Sequence, residues 1–329
     1  MPGAHREDEG RLRAPDSVRP IPAIVGPTAS GKSDLAIALA RELDGEVVNL
    51  DSVQVYRDIE VATAKVPPDE RGGVPHHLID IVDPTVNFTA GDWARAAAIS
   101  ISDIEERNRT AVLAGGTGFY LRALTTGLFE SPTVDPAIRA RLMRRIERKG
   151  PERLHGLLRR LDPASAARLA PRDRSRVVRA LELRLATGRS ATELHSALPR
   201  EVPSQDIAAR VRIIALSPPR DELYRIINER TDRMFAAGLV DEVRGLLEAG
   251  LPPDAKALGA HGYRRVVEYL AGRRTLESAI EQTKLDTRHY AKRQGTWWRS
   301  TPGVFWIERF GTSAEALREA LLYLARAFE

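Results

Sequence analysis

The eight residues from Gly26 to Ser33 constrain the fold of this chain more than any other segment. They read Gly26-Pro27-Thr28-Ala29-Ser30-Gly31-Lys32-Ser33 and fit the pattern G-x-x-x-x-G-K-[ST] at every fixed position. An apolar run precedes them and a helical pattern follows, which is the context that a phosphate-binding loop requires. In such a loop, backbone N–H groups and the helix N-terminus bind phosphate, the lysine neutralises it, and the hydroxyl after the lysine can bind Mg²⁺. The sequence therefore predicts a polyphosphate site with Ser33 as a metal ligand.

Short apolar runs alternate with helical patterns along most of the chain. The runs at 23–25, 47–50, 111–114 and 211–216 read as buried parallel strands, and 33–43, 221–249 (with a break at Gly238), 275–298 and a segment from Ser313 read as helices. This alternation predicts an α/β fold with a P-loop NTPase-like parallel sheet core. Residues 129–202 carry only helical patterns, interrupted at Pro and Gly. We therefore expect a disordered tail at 1–20, a catalytic core at 21–128 and 203–329, and an all-helical insertion domain at 129–202.

Basic side chains are concentrated in that helical insertion. From Arg139 to Arg189 there are 16 Lys/Arg and 5 Asp/Glu, a net charge of +11, so the rest of the chain sums to −6. Such asymmetry is typical of a nucleic-acid-binding surface, and a solvated Arg-rich helical face is the alternative.

Composition excludes several other classes of protein. The chain has no Cys, which excludes a disulfide scaffold, a thiolate zinc site and an iron–sulfur protein. No stretch has 18 consecutive apolar residues, and the first twenty residues lack the apolar region of a signal peptide. We expect a cytoplasmic protein with no membrane partner.

A carboxylate, Asp51, directly follows the second predicted strand. Ligands bind at the carboxyl ends of the strands in open α/β sheets, so Asp51 should face the same crevice as the phosphate loop. From position alone it can be a Mg²⁺ ligand, a general base or a helix N-cap.

Two further segments narrow the function. DSVQVYRDIEVATAK begins at Asp51, and AKRQGTWWR spans residues 291–299. With the phosphate loop, they resemble the tRNA dimethylallyltransferase (tRNA isopentenyltransferase) family. HHLID at 76–80, GGTGFY at 115–120, RDRSRVVRALE at 172–182, GLVDEV at 238–243 and GYR at 262–264 follow in the family's order, and the resemblance covers residues 21–305.

The resemblance implies transfer of a dimethylallyl group from dimethylallyl diphosphate to the exocyclic amine of the adenosine at tRNA position 37, with diphosphate as the leaving group. It implies that Asp51 is the general base, that Thr28 lies near the reacting carbon, and that Arg230 stabilises the diphosphate together with Lys32 and Mg²⁺. We expect the enzyme to be a monomer.

The tRNA-binding residues that follow from this resemblance lie in several segments. They are Asp51, Ser52, Val53, Gln54, Thr117, Arg139, Ser175, Arg176, Val177, Val178, Arg179, Gly262, Tyr263, Arg264, Lys292, Arg293, Gln294 and Arg299. Because specific RNA recognition favours single-stranded loops, the anticodon stem-loop is the expected partner, with the target base flipped out of its stack.

Three other functions remain as alternatives. A small-molecule P-loop kinase shares the loop and the fold but does not account for the basic insertion or for AKRQGTWWR. An adenylate isopentenyltransferase acting on free AMP would not need the basic insertion. An RNA-binding adaptor with a vestigial loop is disfavoured by the intact Lys32, Ser33 and Asp51.

Overall fold

The chain forms two compact units in the computed structural model, which describes residues 19–129, 132–197 and 200–326. One unit, the core, consists of residues up to Thr125 together with those from Pro203 onward. The other, here called the helical module, spans Thr126–Val202. The expected disordered tail falls almost wholly on residues 1–18, outside the described ranges.

The core is built on a parallel six-stranded sheet. Its strands are β1 (Ile21–Val25), β2 (Gly45–Asn49), β3 (His76–His77), β4 (Thr110–Ala114), β7 (Val211–Leu216) and β8 (Val304–Ile307). The other two strands, β5 (Leu128–Phe129) and β6 (Arg200–Glu201), belong to the helical module and form a separate sheet. The order across the large sheet is β3-β2-β4-β1-β7-β8, with every pair parallel. The predicted α/β fold class is thus confirmed.

Helices pack against this sheet and make up most of the module. In chain order they are α1 (Lys32–Glu42), α2 (Ala90–Glu106), α3 (Gly118–Thr126), α4 (Pro136–Lys149), α5 (Pro151–Leu161), α6 (Pro163–Arg168), α7 (Arg174–Thr187), α8 (Ala191–Ala197), α9 (Gln205–Arg210), α10 (Arg220–Ala236), α11 (Leu239–Glu248), α12 (His261–Leu270), α13 (Leu276–Arg299) and α14 (Ala314–Arg326). Two 3₁₀ turns, Pro68–Arg71 and Lys256–Gly259, lie between them.

The strands β1, β2 and β4 are fully buried, as the mainly apolar sequences of β1 and β4 and the Val47-Val48 pair of β2 favour. The two edge strands were not predicted from the sequence. β3 is two histidines long, and His77 Nε2 contacts the carboxylate of Glu46, which β2 carries. That carboxylate is 3% exposed and also binds the guanidinium groups of Arg107 at 2.8 Å and Arg109 at 3.2 Å. An ion cluster centred on the buried Glu46 carboxylate therefore stabilises this polar edge.

The helical module has a core of its own. Leu142, Ile146, Leu154, Leu158 and Leu181 are among its buried side chains. Three of its helices, α4, α5 and α6, begin with proline, whose fixed φ favours the first helical position.

The sequence predicts an all-helical insertion, but the module also contains two short strands. Leu128 pairs with Glu201 and Phe129 with Arg200, so a short antiparallel ladder joins its two ends. Two-residue strands are too short to give a periodic pattern, which is why the sequence did not reveal them.

Candidate active site

The phosphate loop joins β1 to α1 in the predicted position. Gly26 (φ 139°), Ala29 (φ 66°) and Gly31 (φ 83°) all have positive φ. A Cβ on Gly26 would lie 2.8 Å from the carbonyl oxygen of Leu216, and one on Gly31 would lie 2.9 Å from the nitrogen of Gly311. Only glycine permits both the backbone conformation and these close approaches. The loop is thus held between the end of β7 and the segment after β8.

Lys32 is the first residue of α1, and its ammonium donates to the carbonyl of Pro27 at 2.7 Å. Burial lowers its pKa to about 8. The negative charge of Asp51 acts against this shift, and the positive charge of Arg230 acts with it. Lys32, Asp51 and Arg230 therefore lie close enough to influence one another electrostatically. The structure brings together the three charged residues that the sequence assigned to chemistry.

Asp51 follows β2 and stabilises a turn. Its Oδ1 accepts hydrogen bonds from the backbone N–H groups of Val53 at 2.8 Å and Gln54 at 3.4 Å. Asn49, which is buried, accepts from the Asp51 N–H at 3.0 Å and so fixes the start of the turn. Among the described residues no donor binds Oδ2. One carboxylate oxygen is thus structural, and the other is available to a substrate.

Arg230 lies in the second half of α10 and is partly buried. Burial lowers its pKa, and the carboxylate of Asp51 opposes that shift. Within residues 19–129, 132–197 and 200–326, no carboxylate lies within ion-pair distance of its guanidinium. A partly buried cation that no carboxylate pairs directly favours an anionic ligand.

Thr28, inside the loop, has its backbone N–H bound to the side chain of Gln294 at 2.8 Å. Gln294 also donates from Nε2 to the carbonyl of Gly116 at 3.1 Å, and it is 5% exposed. This corrects the prediction that Gln294 contacts tRNA, because the side chain is buried and both ends of its amide are occupied by the core.

Four of the predicted tRNA-binding residues gather beside Asp51. The Ser52 N–H donates to Thr117 Oγ1 at 3.1 Å. Val53 is partly buried in the turn. The Gln54 Nε2 donates to the carbonyls of Thr63 at 3.0 Å and Ala64 at 3.1 Å, and no described residue donates to its Oε1. Within the described residues that oxygen therefore has its acceptor capacity unused.

Tyr290 was missed by the sequence reasoning. Burial raises the pKa of its hydroxyl, as does the nearby carboxylate of Asp51, whereas hydrogen bonding with Thr117 and Gln294 acts in the opposite direction. The residue immediately precedes the AKRQGTWWR segment, one turn before Gln294. The only available signal was that helical spacing, which does not distinguish a site tyrosine from a core tyrosine.

Two further predicted tRNA contacts prove to be structural. Tyr263 is fully buried, accepts from the Ala62 N–H at 3.2 Å and donates to Glu242. A Cβ on Gly262 would lie 3.1 Å from Leu239 and 3.2 Å from Ala62, so this glycine permits close packing. These residues hold the segment after Asp51 in place and offer no surface to RNA. Arg264, beside them, is exposed.

The basic residues of α13 lie on its outer face. Lys292, Arg293 and Arg299 are exposed, and Arg299 lies over the ring of Trp306 at 5.9 Å. A cavity of about 200 Å³ opens beside Lys292 and Arg299 and extends to Pro27 of the phosphate loop. Trp298 is buried. This face carries the cations that the sequence assigned to tRNA.

The helical module divides its predicted contacts between surface and core. Ser175 and Arg176 are exposed at the start of α7. Val177 and Val178 are 1% exposed and belong to the core of the module, which corrects their assignment to tRNA binding. Val177, Val178 and Leu181 are buried at the spacing of one helical turn, which places them on the inner face of α7.

Arg139 and Arg179 of the module both bind the buried carboxylate of Glu182, at 2.9 Å and 3.3 Å. Their side chains are about half exposed, at 55% and 40%, so the ion pairs fix both guanidinium groups at the surface of the module.

The residues near the loop can hold Mg²⁺ only with help from a substrate. In the part of the chain that the structure describes, no group of three or more His, Asp or Glu side chains is arranged to hold a metal ion. The partly buried Ser33 hydroxyl has no hydrogen-bond partner among the described residues. Since Mg²⁺ in such sites is bound mainly by phosphate oxygens and water, one protein hydroxyl fits this coordination.

Comparison with known proteins identifies the family. The family model described as IPP transferase matches residues 54–301. The chain is 50% identical over 285 residues to the tRNA dimethylallyltransferase of Geobacter sulfurreducens, covering 87% of this chain and 90% of that protein. The chain belongs to the tRNA dimethylallyltransferase family. It is also 45% identical over 309 residues to the family member from Solibacter usitatus, covering 93% and 98% of the two chains.

Solved structures of the family agree in fold. This chain superposes on the full-length tRNA isopentenylpyrophosphate transferase of Bacillus halodurans with a TM-score of 0.69 and 36% sequence identity. The match covers 95% of this chain and 97% of that one. A eukaryotic dimethylallyltransferase, solved acting on tRNA, has a TM-score of 0.69 and 28% identity, covering 94% and 78%. None of the helices in the described ranges is both long and apolar enough to cross a membrane.

Proposed function

We propose that this chain transfers a dimethylallyl group from dimethylallyl diphosphate to the exocyclic amine of the adenosine at tRNA position 37. The observation that carries the proposal is the convergence of Lys32, Asp51 and Arg230 in a chain of this family. Two cations suit the diphosphate and one carboxylate suits the amine. The reaction forms a nitrogen–carbon bond, breaks the bond between that carbon and the diphosphate oxygen, and releases one proton and diphosphate.

Asp51 accepts the proton. The lone pair of an adenine exocyclic amine is delocalised into the ring, so the amine attacks only as its proton is removed. A positioned carboxylate provides such general base catalysis. Oδ2 is the oxygen for this step, because Oδ1 already accepts from Val53 and Gln54. A hydrogen bond from the amine to Oδ2 would also orient it for in-line attack.

The phosphate loop, Lys32 and Arg230 stabilise the charge that develops on the leaving diphosphate. Cations and N–H groups fixed before the reaction do this without reorganisation, which makes such electrostatic stabilisation effective. The low pKa of Lys32 reflects burial, and an arriving diphosphate would raise that pKa and so stabilise the charged form. Thr28, whose N–H is held by Gln294, would present its hydroxyl near the reacting carbon.

Mg²⁺ would be bound by the Ser33 hydroxyl and the diphosphate oxygens, and when bound it would neutralise further charge on the leaving group.

Two sets of exposed cations would bind the tRNA. In the core they are Lys292, Arg293, Arg299 and Arg264, and in the module Arg139 and Arg176, with the exposed Ser175 and the partly buried Arg179 beside them. Contacts of this type go mainly to phosphates and fix the position of the RNA. The adenosine would then be flipped toward Asp51, where Gln54 Oε1, Ser52 and Thr117 line its path. We propose that the chain acts as a monomer and in the cytoplasm, where its tRNA substrate is present.

Label transfer tests this function. Purified protein is incubated with labelled dimethylallyl diphosphate, Mg²⁺ and an unmodified tRNA transcript, with free AMP as a parallel acceptor. We expect label on the tRNA and none when adenosine 37 is replaced by guanosine. Label on AMP alone would indicate the adenylate isopentenyltransferase alternative. ATP consumption with a small acceptor and no prenyl transfer would indicate a kinase.

A further inference from the structure

Gln294 occupies a position that its predicted tRNA contact does not account for. It projects from the inner face of α13 and is 5% exposed, although Lys292 and Arg293 beside it are exposed. Its Oε1 accepts from the Thr28 N–H at 2.8 Å, and its Nε2 donates to the Gly116 carbonyl at 3.1 Å. One side chain thus bridges the phosphate loop and the segment that follows β4.

The side-chain amide of Gln294 packs directly against the backbone of Gly116. A Cβ at this position would lie 2.0 Å from Gln294 Nε2, so the amide contacts the backbone where a larger residue would displace it. The neighbouring Gly115 is equally constrained, since a Cβ there would lie 2.2 Å from the carbonyl oxygen of Leu50. The segment after β4 is therefore held on one side by Gln294 and on the other by the end of β2.

The bridge continues to the general base. Thr117, next to Gly116, donates its N–H to the Leu50 carbonyl at 3.1 Å and accepts from the Ser52 N–H at 3.1 Å. Leu50 and Ser52 are the two chain neighbours of Asp51. A continuous series of hydrogen bonds therefore joins Thr28 in the phosphate loop to the backbone on both sides of Asp51, and Gln294 is its only side-chain amide.

We propose that Gln294 is a positioning residue that sets the separation between the diphosphate-binding loop and Asp51. This inference rests on the proposed function, because transfer requires the amine held by Asp51 and the carbon held by the diphosphate to meet in line. A misplacement of about 1 Å can reduce such a rate about 100-fold. Gln294 acts through Thr28 and Gly116, and no step of the reaction involves its own atoms.

The test compares Gln294→Met with Gln282→Met. Methionine keeps the length of the side chain and removes both hydrogen bonds. Gln282 lies on the same helix, is partly buried and donates to Asp286 at 2.9 Å, so it receives the same substitution away from the loop. For each variant we would measure the single-turnover transfer rate at saturating substrates, the Kd for tRNA, the Kd for inorganic diphosphate, and the Tm.

We expect Gln294→Met to lower the single-turnover rate by about 100-fold and to weaken diphosphate binding, with the Kd for tRNA within twofold of the wild type. Gln282→Met should keep the wild-type rate. Gln294→Asn is the second variant, for use if Gln294→Met does not fold. It retains the amide but is one methylene too short to reach both partners, so its rate should also fall at saturation.

Two results would overturn the inference. A rate for the folded variant within threefold of the wild type would show that the bridge does not set the geometry of transfer. A raised Kd for tRNA with an unchanged rate at saturation would restore Gln294 as an RNA contact. Failure of the proposed function is separate: wild-type protein would then transfer no label to tRNA, while diphosphate binding would still report whether Gln294 holds the loop.

Discussion

Replacing Asp51 by asparagine separates the two roles that the structure gives this side chain. Asparagine keeps an oxygen that can accept from the Val53 N–H, now 2.8 Å from Oδ1, but it cannot take a proton at neutral pH. Alanine loses both functions. The pair of variants, Asp51→Asn and Asp51→Ala, therefore distinguishes a general base from a residue that only stabilises a turn.

The expected magnitudes differ enough to measure. A positioned general base contributes about 10²–10⁴ in rate, which corresponds to about 3–5 kcal/mol of activation free energy. Loss of a side-chain acceptor for backbone N–H groups costs about 1 kcal/mol of stability. Both variants should lose the rate factor, and only Asp51→Ala should lose the stability. Both also remove the charge that supports the protonated form of Lys32, so its pKa should fall further below its ordinary value.

Single-turnover transfer from labelled dimethylallyl diphosphate to tRNA, at saturating concentrations of both, measures the chemical step. Urea unfolding measures the stability of the same preparations. The reasoning would be refuted if Asp51→Asn transferred label at more than a tenth of the wild-type rate. It would also fail if Asp51→Asn were destabilised as much as Asp51→Ala, because the turn would then depend on the charge.

Four other changes test separate parts of the structure. Because the Lys32 pKa is lowered to about 8, the ammonium form is lost above that pH. The Kd for inorganic diphosphate, measured by calorimetric titration, should therefore rise about tenfold between pH 8.5 and 9.5. Tyr263→Phe should lower the free energy of unfolding by about 1–3 kcal/mol, because Ala62 and Glu242 lose their buried hydrogen-bond partner. The same variant should leave the Kd for tRNA unchanged in a filter-binding assay. Arg176→Ala should weaken tRNA binding and reduce the slope of log K against log salt by about 1, measured by the same assay across a salt series. Glu46→Gln should lower the free energy of unfolding at pH 7 by about 3 kcal/mol, because partners hold the carboxyl pKa down to about 2 in the folded state, against 4.5 as the ordinary value.

Each of these predictions has a contrary outcome. A Kd for diphosphate that is flat from pH 7 to 9.5 would show that Lys32 does not contribute charge. A raised Kd for tRNA in Tyr263→Phe would show that Tyr263 contributes to RNA binding. The control for stability is Arg264→Ala, at an exposed neighbour, which should change the free energy of unfolding by less than about 0.5 kcal/mol. For Glu46 the contribution to stability exists above pH 4.5 and disappears as pH falls toward 2, so wild type and Glu46→Gln should converge in acid. An unchanged salt slope in Arg176→Ala would mean that this residue does not neutralise a phosphate.

The sequence predicted those parts of the site in which local pattern determines position. Gly26 to Ser33 form a loop whose conformation is set by its own glycines, and Asp51 follows a strand whose end must lie at the same edge of the sheet. Gln294 and Tyr263 could not be assigned in this way. Both belong to motifs that the sequence assigned to tRNA binding, but which face of the helix each occupies depends on packing between distant segments. Val177 and Val178 illustrate the same limit, since a motif matched letter by letter does not separate inward from outward positions.

The short ladder between β5 and β6 has a consequence for how this enzyme can change over evolution. Because Leu128 pairs with Glu201, the chain leaves the core and returns to it at adjacent points. The module is a single insertion between α3 and α9. Its size and content do not alter the order of the strands in the parallel sheet. A change in the length or content of this insertion would therefore leave the sheet, and with it the placement of Lys32 and Asp51, unaltered.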